Sequence, residues 1–250
     1  MEKYAAIILA AGKGTRMGDV NGSPIPKVMF SLNEKPIIEY SVNCIKNAGI
    51  QKVVLVVGYK REMVQEYFGE RVEYAVQEEQ LGTGHAVSMA KDVLDGKAES
   101  LIIFGGDNPL IKPETICNLI NIYENEKPTI AMLSVVSDSL MDWAFGRIIR
   151  DENGEVNTIV EQKDCSEEQL KVKEGNPAFY IFDAAWLWGN ITKLKTENVQ
   201  HELYLTDMIH LAREQGKRIV AMPVSEENEA LGINTQDQLK EAEEILNSRG

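Results

Sequence analysis

The chain has 250 residues, a formal net charge of −13 and three cysteines, and 44% of its residues are hydrophobic. This length suffices for a sizeable core, and because we find no linker or internal repeat, we expect residues 1–250 to form a single domain. The strong negative charge argues against nucleic acid or an anionic membrane as a partner, since both are themselves negatively charged.

The cysteines indicate a reducing compartment. Cys44, Cys117 and Cys165 are odd in number and lack the short paired spacing of a zinc site. No stretch reaches the roughly 20 apolar residues that a membrane-spanning helix needs. The sequence therefore predicts a cytoplasmic protein, and it leaves open whether the protein is a homo-oligomer.

The first predicted strand is an apolar run that breaks into a glycine-rich loop. Residues 4–11 form a short apolar run bounded by glycine, which is typical of a central strand in a parallel sheet. Gly12 and Gly14 follow the run, and glycine lets backbone N–H groups approach a phosphate. Because basic residues surround this turn, the loop predicts a polyphosphate site. The basic residues are Lys13, Arg16 and Lys27.

Two known phosphate-binding motifs do not fit this loop. A P-loop needs Gly-Lys-Ser/Thr after a glycine and four further residues, but counting from Gly12 reaches Met17-Gly18-Asp19. The dinucleotide fingerprint needs its third glycine where Met17 stands. A P-loop enzyme and a dehydrogenase are therefore disfavoured. A turn that only lets a helix pack would explain the glycines, but it would not explain the basic residues.

The next part of the chain alternates predicted strands and helices. A short strand is expected at residues 28–32, and Pro36 opens a helix that ends at Gly49. The alternation predicts an α/β fold with a doubly wound, mostly parallel sheet, in which ligands bind beyond the carboxyl ends of the strands. The further predicted elements are strands at 52–57, 72–76 and 101–104, a helix at 60–68 and a helix that begins at Pro113.

The second half of the chain adds a predicted β-hairpin and a closing helix. A buried strand at 130–136 precedes two β-rich segments, 145–150 and 156–160, which are joined by a turn containing Asn-Gly. Another strand is expected at 179–182. Thr235 and Gln238 fit a capping box at the start of the last helix.

Several short motifs resemble one known family. They occupy residues 9–17, 77–86, 106–110, 145–148, 159–164, 204–207 and 232–234. Together they resemble the sugar-1-phosphate nucleotidyltransferases, and they are most similar to the uridylyltransferase domain of the N-acetylglucosamine-1-phosphate uridylyltransferases. The hexapeptide repeats of the acetyltransferase domain are missing from the chain. The resemblance implies a Rossmann-like, glycosyltransferase-A-like fold with a β-hairpin extension over a sugar site.

The resemblance also implies a role for each group of candidate residues. The catalytic residues would be Arg16, Lys27 and Asp107. The nucleotide would be bound by Leu9, Ala10, Ala11, Gly12, Lys13, Gly14, Thr15, Gln77, Gly82 and Thr83. The sugar would be bound by Gly146, Glu161, Asn176, Tyr204 and Thr206. Asp107 and Asn234 would bind Mg²⁺, which prefers hard oxygen ligands.

The implied substrates are a nucleoside triphosphate and a sugar 1-phosphate. A phosphate oxygen of the sugar 1-phosphate would attack the α-phosphorus of the triphosphate and displace pyrophosphate. Because this step brings several negative charges together, positive groups must stabilise it. The resemblance favours UTP and N-acetylglucosamine 1-phosphate. Another base, another sugar phosphate or an alcohol phosphate stays open as an alternative.

A non-catalytic sensor of nucleotide sugars is an alternative of a different class. It would retain the sugar-binding residues, but it would have no need of Arg16, Lys27 and Asp107 together. The chain also departs from the family near the sugar, because Pro177 and Ala178 stand where the family usually has a small polar residue and glycine. Pro177 has no backbone N–H, so it predicts a weaker preference for the N-acetyl group.

Overall fold

The computed structural model describes residues 1–18, 24–138 and 140–249. None of the helices in this part of the chain combines the length and the apolarity that a membrane crossing requires. The strands are β1 (Glu2–Ala10), β2 (Ser31–Leu32), β3 (Lys35–Pro36), β4 (Val53–Val57), β5 (Glu73–Val76), β6 (Ala98–Gly105), β7 (Ile130–Val136), β8 (Gly146–Arg150), β9 (Val156–Val160), β10 (Glu174–Asn176), β11 (Tyr180–Asp183) and β12 (Ile219–Pro223). The α-helices are α1 (Ile37–Asn47), α2 (Arg61–Phe68), α3 (Thr83–Met89), α4 (Lys91–Leu94), α5 (Pro113–Glu126), α6 (Leu140–Trp143), α7 (Glu167–Leu170), α8 (Ala184–Asn190), α9 (Asp207–Glu214) and α10 (Gln236–Arg249).

One large sheet organises the described residues. Its strand order is β5-β4-β1-β6-β11-β7-β10-β8-β9, and β12 pairs with β7 outside this path. The strands β5, β4, β1 and β6 are parallel, and β12 is parallel to β7. In contrast, β11 lies antiparallel between β6 and β7. The predicted α/β fold is confirmed, but the antiparallel orientation of β11 was not predicted.

The sheet is covered on both faces, and β1 lies at its centre. Ala5 and Ile7 of β1 belong to one apolar cluster, which includes residues of α3, α8 and α9. Ala6 and Ile8 belong to the opposite cluster, which includes residues of α1 and α5. Because both faces of β1 are buried, its sequence is a continuous apolar run rather than an alternating one.

The predicted strand at residues 28–32 is wrong for most of its length. The chain forms a 3₁₀ turn over Lys27–Met29, in which the Met29 N–H donates to the Pro26 carbonyl at 2.9 Å. Only Ser31–Leu32 forms a strand, which pairs with β3. Val28, Phe30 and Leu32 are buried whereas their neighbours are more exposed. This turn therefore produces the alternation that is typical of a half-buried strand.

The predicted hairpin is present as β8 and β9. Asp151 shapes its turn, since its Oδ1 accepts hydrogen bonds from the N–H groups of Asn153 and Glu155 at 2.9 and 3.0 Å. The strand β10 pairs antiparallel with β8 and places Asn176 opposite Gly146. The hairpin thus brings two residues predicted to bind the sugar into register.

Candidate active site

A cavity of about 510 Å³ lies at the carboxyl ends of β1 and β6. Loops that follow β1, β5 and β6 contribute its walls, as do the hairpin and the segment before α9. In parallel α/β sheets this edge is the usual place for ligands. The loops that contain the candidate motifs therefore meet around one cavity.

Most of the residues predicted for the site line this cavity. All of the predicted site residues belong to the described part of the chain, and Lys13, Gly14, Thr15 and Tyr204 are the ones that do not line it. The predicted residues that do are Leu9, Ala10, Ala11, Gly12, Arg16, Lys27, Gln77, Gly82, Thr83, Asp107, Gly146, Glu161, Asn176, Thr206 and Asn234.

Two cations and two oxygen-bearing side chains meet at one end of the cavity. The Lys27 ammonium forms an ion pair with Asp107 Oδ2 and donates to Asn234 Oδ1 at 2.9 Å. Arg16 Nη2 donates to the same Asn234 oxygen at 3.0 Å. The cluster holds two positive charges and one negative charge, so it carries a net positive charge in an otherwise acidic chain. It is suited to bind phosphate groups.

The glycine-rich loop positions Lys27. Gly14 has a φ of +67°, and a Cβ atom added to it would overlap the Lys27 side chain. Only glycine combines this left-handed backbone with such a close approach. The loop is also held at its other end, because Gln236 Nε2 donates to the Met17 carbonyl at 2.8 Å. Gly14 therefore has a packing role, in agreement with its place outside the cavity lining.

Backbone contacts hold Asp107 and Asn234 together. The Ile233 N–H donates to the Asp107 carbonyl at 2.9 Å. The Gln238 N–H donates to Thr235 Oγ1 at 3.2 Å, as the predicted capping box requires. The Gln238 side chain, however, accepts from the N–H of Asn234 at 2.8 Å rather than from that of Thr235. Gln238 thus orients the backbone of the residue that contacts both cations.

The oxygens of Asp107 and Asn234 fit a divalent cation. Both side-chain oxygens face the Lys27 ammonium, so they already converge on a positive charge. In the described residues, no group of three or more His, Cys, Asp or Glu side chains is placed to hold a metal. A magnesium site does not need such a group, because Mg²⁺ usually takes one or two protein oxygens together with water and substrate phosphates.

On the nucleotide side, Gln77 is held by its surroundings. Its side chain is buried, and Nε2 donates to the Gly82 carbonyl at 3.1 Å and lies 3.0 Å from His85 Nδ1. Gly82 has a φ of +111° and approaches the backbone of Leu203 closely. The amide of Gln77 is therefore fixed at the wall of the cavity.

Residues 198–205, which we call the bridging segment, connect the nucleotide side with the sugar side. Leu203 pairs through its backbone with Leu81 and Gly84 at 2.8 and 2.7 Å, and the Leu205 N–H donates to Thr83 Oγ1 at 2.9 Å. At its other end, the bridging segment binds the sugar side through the N–H of Val199, which donates to Asp164 Oδ1 at 2.8 Å. The Thr83 hydroxyl thus holds the bridging segment in place.

On the sugar side, a carboxylate lies beside the hairpin. Thr206 Oγ1 donates to Glu161 Oε1 at 3.0 Å. Burial raises the pKa of Glu161, although the Thr206 hydrogen bond acts in the opposite direction. A Cβ atom added to Gly146 would lie 3.1 Å from Ile159 Cγ2 and 3.2 Å from the Val160 carbonyl oxygen, so a side chain would fit tightly there. Glu161 and Thr206 can accept hydrogen bonds from hydroxyl groups of a ligand.

Asn176 has both ends of its side-chain amide engaged. Its Nδ2 donates to the Tyr180 hydroxyl at 2.6 Å, and its Oδ1 accepts from the Ala178 N–H at 3.1 Å. These contacts fix the amide at the cavity wall. One N–H of Nδ2 and one lone pair of Oδ1 remain for other contacts, since an amide offers two of each.

Tyr204, which was predicted to bind the sugar, does not line the cavity. Its hydroxyl accepts from Gln200 Nε2 at 2.8 Å and lies 3.4 Å from Asp164 Oδ2. Its ring is buried and outside the cavity lining. Tyr204 therefore connects the bridging segment to the turn that follows β9. The position of its motif along the sequence could not distinguish a contact with ligand from a contact with a neighbouring loop.

Some cavity-lining residues were given no binding role from the sequence. Of the two aromatic residues before Gly146, Phe145 belongs to a motif quoted above and Trp143 lies three positions before Gly146, so closeness to a motif is the signal that could have found them. Others adjoin Asp107, Asn176 or Tyr204 in the same way. The main ones are Asn108, Trp143, Ala144, Phe145, Pro177, Ala178 and Glu202.

Comparisons with known proteins show the family of the chain. The sequence profile of a family described as nucleotidyl transferase matches residues 5–230. The bifunctional protein GlmU of Geotalea daltonii is 40% identical over 251 residues, which is 100% of this chain and 54% of the relative. GlmU of Clostridium perfringens is 42% identical over 246 residues, 98% of this chain and 52% of the relative. The chain thus spans about half the length of these curated relatives.

Solved structures confirm the fold. The crystal structure of a UDP-glucose pyrophosphorylase complexed with UDP-glucose superimposes with a TM-score of 0.80 at 18% sequence identity, and the match covers 100% of both chains. The apo form of a UDP-glucose pyrophosphorylase gives the same TM-score and identity, with 100% of this chain and 99% of that chain covered. At this level of identity the likeness concerns the architecture.

Proposed function

Because the chain belongs to the nucleotidyl transferase family, we propose that it transfers a uridylyl group from UTP to a sugar 1-phosphate and releases pyrophosphate. The leading acceptor is N-acetylglucosamine 1-phosphate. The observation that carries the proposal is the cluster of Arg16, Lys27, Asp107 and Asn234 at the carboxyl ends of β1 and β6. A protein that only sensed nucleotide sugars would have no need of this combination.

The two cations are proposed to lower the barrier to transfer. The acceptor phosphate is already ionised, so the reaction needs no general base. The difficulty is the charge that collects around the α-phosphorus and on the departing pyrophosphate. Arg16 can form two parallel hydrogen bonds to phosphate oxygens, whereas Lys27 acts as a compact charge. Such groups raise turnover only where they bind the transition state more strongly than the substrates.

Asp107 and Asn234 are proposed to hold Mg²⁺. When bound, the metal would supply charge neutralisation at the phosphates. Lys27 contacts both of these side chains, and its ammonium would be available to phosphate oxygens if the metal bound to them instead. The same ammonium would thus neutralise the Asp107 carboxylate in the free protein and bind substrate in the complex.

The base and the sugar are proposed to occupy opposite ends of the cavity. Gln77 Nε2 is engaged by Gly82 and His85, so its Oε1 atom, together with the backbone at residues 9–12, would recognise the uracil by accepting a hydrogen bond from the N–H of the pyrimidine edge. Glu161, Thr206 and Asn176 would bind the sugar. The choice of UTP and of an N-acetylated sugar follows from the resemblance of the motifs.

A substrate panel tests the proposal. Pyrophosphate release should be measured with each common nucleoside triphosphate against N-acetylglucosamine, glucose, galactose and mannose 1-phosphates, with and without Mg²⁺. We expect turnover with UTP and N-acetylglucosamine 1-phosphate, and its loss when the metal is chelated. No pyrophosphate from any pair, together with tight binding of UDP-sugars, would favour the sensor instead.

A further inference from the structure

Two alanines in the cavity wall have an unusual backbone. Among the described residues, seven other than glycine have a positive φ. Two of the seven, Ala144 at +57° and Ala178 at +58°, line the cavity. Asparagine and aspartate are enriched in this left-handed region because their side chains can bond locally, but alanine has no such compensation. Strained residues of this kind cluster at functional sites.

The two alanines lie at matching positions just beyond the ends of two neighbouring strands. Gly146 at the start of β8 pairs with Asn176 at the end of β10 in an antiparallel register. Ala144 lies two residues before Gly146, and Ala178 lies two residues after Asn176. If the pairing continued beyond its last pair, the alanines would face each other. Instead, both segments leave the β8–β10 pairing at the same end, and both adopt the left-handed backbone conformation there.

Packing does not explain why these positions carry a methyl group. Ala144 and Ala178 are both exposed, and neither belongs to a buried apolar cluster of the described residues. The Ala178 N–H donates to Asn176, but this backbone contact would be equally available to glycine. Glycine would also remove the strain. The packing of the protein's own core therefore does not require the two methyl groups.

We propose that Ala144 and Ala178 determine acceptor specificity. Their methyl groups narrow the end of the cavity next to Gly146 and Asn176, and they limit the size of the sugar substituent that fits there. The inference rests on the proposed function, because it concerns the sugar 1-phosphate. It predicts that the chain accepts an unsubstituted hexose 1-phosphate more readily than it would with glycine at both positions, at the expense of an N-acetylated one.

The first test removes both methyl groups. In the double variant Ala144→Gly/Ala178→Gly, kcat/KM should be measured with UTP for N-acetylglucosamine 1-phosphate and for glucose 1-phosphate. We expect the ratio of the two values to shift towards the N-acetylated sugar by about tenfold, the lower end of what one methylene contributes to discrimination. The variant should fold, because glycine relieves the left-handed strain at both positions.

A matched control separates specificity from relief of strain. Lys127 ends α5 with a φ of +48° and lies outside the cavity lining. Lys127→Gly should therefore raise Tm, as the double variant Ala144→Gly/Ala178→Gly should. The ratio of the two kcat/KM values should stay unchanged in Lys127→Gly. A ratio that moved equally in this control would overturn the inference.

A larger residue should act in the opposite direction. Asparagine tolerates the left-handed region and is larger than alanine, so Ala178→Asn should shift the ratio towards glucose 1-phosphate. Glycine also makes the backbone more flexible, but Ala178→Asn introduces no glycine, so flexibility could not explain a shift in this variant. A ratio unmoved in the double glycine variant and in Ala178→Asn, with turnover retained, would overturn the inference and leave the proposed function standing. Absence of turnover with every sugar phosphate, and of UDP-sugar binding, would overturn both.

Discussion

The ammonium of Lys27 and the carboxylate of Asp107 form an ion pair at the phosphate end of the cavity, although 80 residues separate them along the chain. Their side chains are only 17% and 20% exposed. At this depth neither group is fully solvated, so removing one leaves the other with an uncompensated charge. The pair therefore balances charge within the protein at this end of the cavity.

Asp107→Ala should abolish most of the turnover without unfolding the protein. The carboxylate is proposed to bind Mg²⁺, and loss of one such preorganised group costs about 100-fold or more in turnover. Asn234→Ala should have a smaller effect, because an amide oxygen carries no net charge. The measurement is kcat across a magnesium titration, with circular dichroism to confirm the fold.

Glu73→Ala, which breaks an exposed surface pair with Lys52, is the control. Full activity of Asp107→Ala at every magnesium concentration would exclude the metal assignment.

Arg16→Ala should lower turnover more than it weakens binding of a UDP-sugar. The guanidinium lies beside Asn234 and Lys27, at the end proposed to bind the triphosphate. A UDP-sugar lacks the pyrophosphate that leaves during the reaction, so it offers fewer phosphate oxygens for Arg16 to bind. The measurements are kcat for the forward reaction and the Kd of UDP-N-acetylglucosamine. Equal losses in both would instead indicate a general binding role.

Gly14→Ala should impair catalysis through Lys27. The substitution imposes a side chain on a left-handed backbone, which costs roughly 1–2 kcal/mol, and its Cβ would also displace Lys27. Gly154→Ala is the matched control, because Gly154 has a φ of +79° but nothing within 4 Å of an added Cβ. Both variants should lose stability in urea unfolding, whereas only Gly14→Ala should lose turnover. Similar turnover in the two variants would show that Gly14 does not position Lys27.

Glu161→Gln should stabilise the protein in a manner that depends on pH. Burial raises the folded-state pKa of Glu161 above its unfolded value, so the folded protein binds more protons there. Stability is then lost as the pH rises from the unfolded pKa through the folded one. The uncharged amide avoids this loss, and the gain in Tm should be near zero below about pH 4 and should grow towards neutrality.

The same substitution should weaken sugar binding, because the amide replaces a charged acceptor of hydroxyl groups. Glu152→Gln changes an exposed carboxylate in the hairpin turn and serves as the control for net charge. A gain in Tm that was constant across pH, or equal in the control, would contradict the assignment of the burial effect to Glu161.

The central part of the fold could be predicted because local patterns determine it. The apolar run that became β1 is buried on both faces, and the turn around Gly154 matches its hairpin. The antiparallel placement of β11 could not be predicted in this way. Its run, Tyr180–Asp183, is as apolar as a parallel strand, and its orientation depends on pairing with β6 and β7, which lie far away in the sequence.

The site illustrates the same limit. The motifs assigned Glu161 and Thr206 to the same sugar site, and the two side chains do share a hydrogen bond. They also assigned Tyr204 to the sugar, but the hydroxyl of Tyr204 contacts Asp164 and Gln200. Side chains one or two positions apart in a loop can point in quite different directions, because loop backbones have no fixed period. The left-handed φ of Ala144 and Ala178 likewise could not be predicted, because alanine is not typical of that region.

The contact between Arg16 and Asn234 joins positions 218 residues apart, and this has a consequence for folding kinetics. The parallel strands β5, β4, β1 and β6 can assemble from the first 105 residues, whereas the phosphate end also needs the irregular segment that precedes α10 to dock against Asp107. Contacts of such long sequence separation are entropically expensive and form late. During refolding from urea, secondary structure should therefore recover before catalytic competence does, and enzymatic activity becomes a readout of the last docking event rather than of chain collapse.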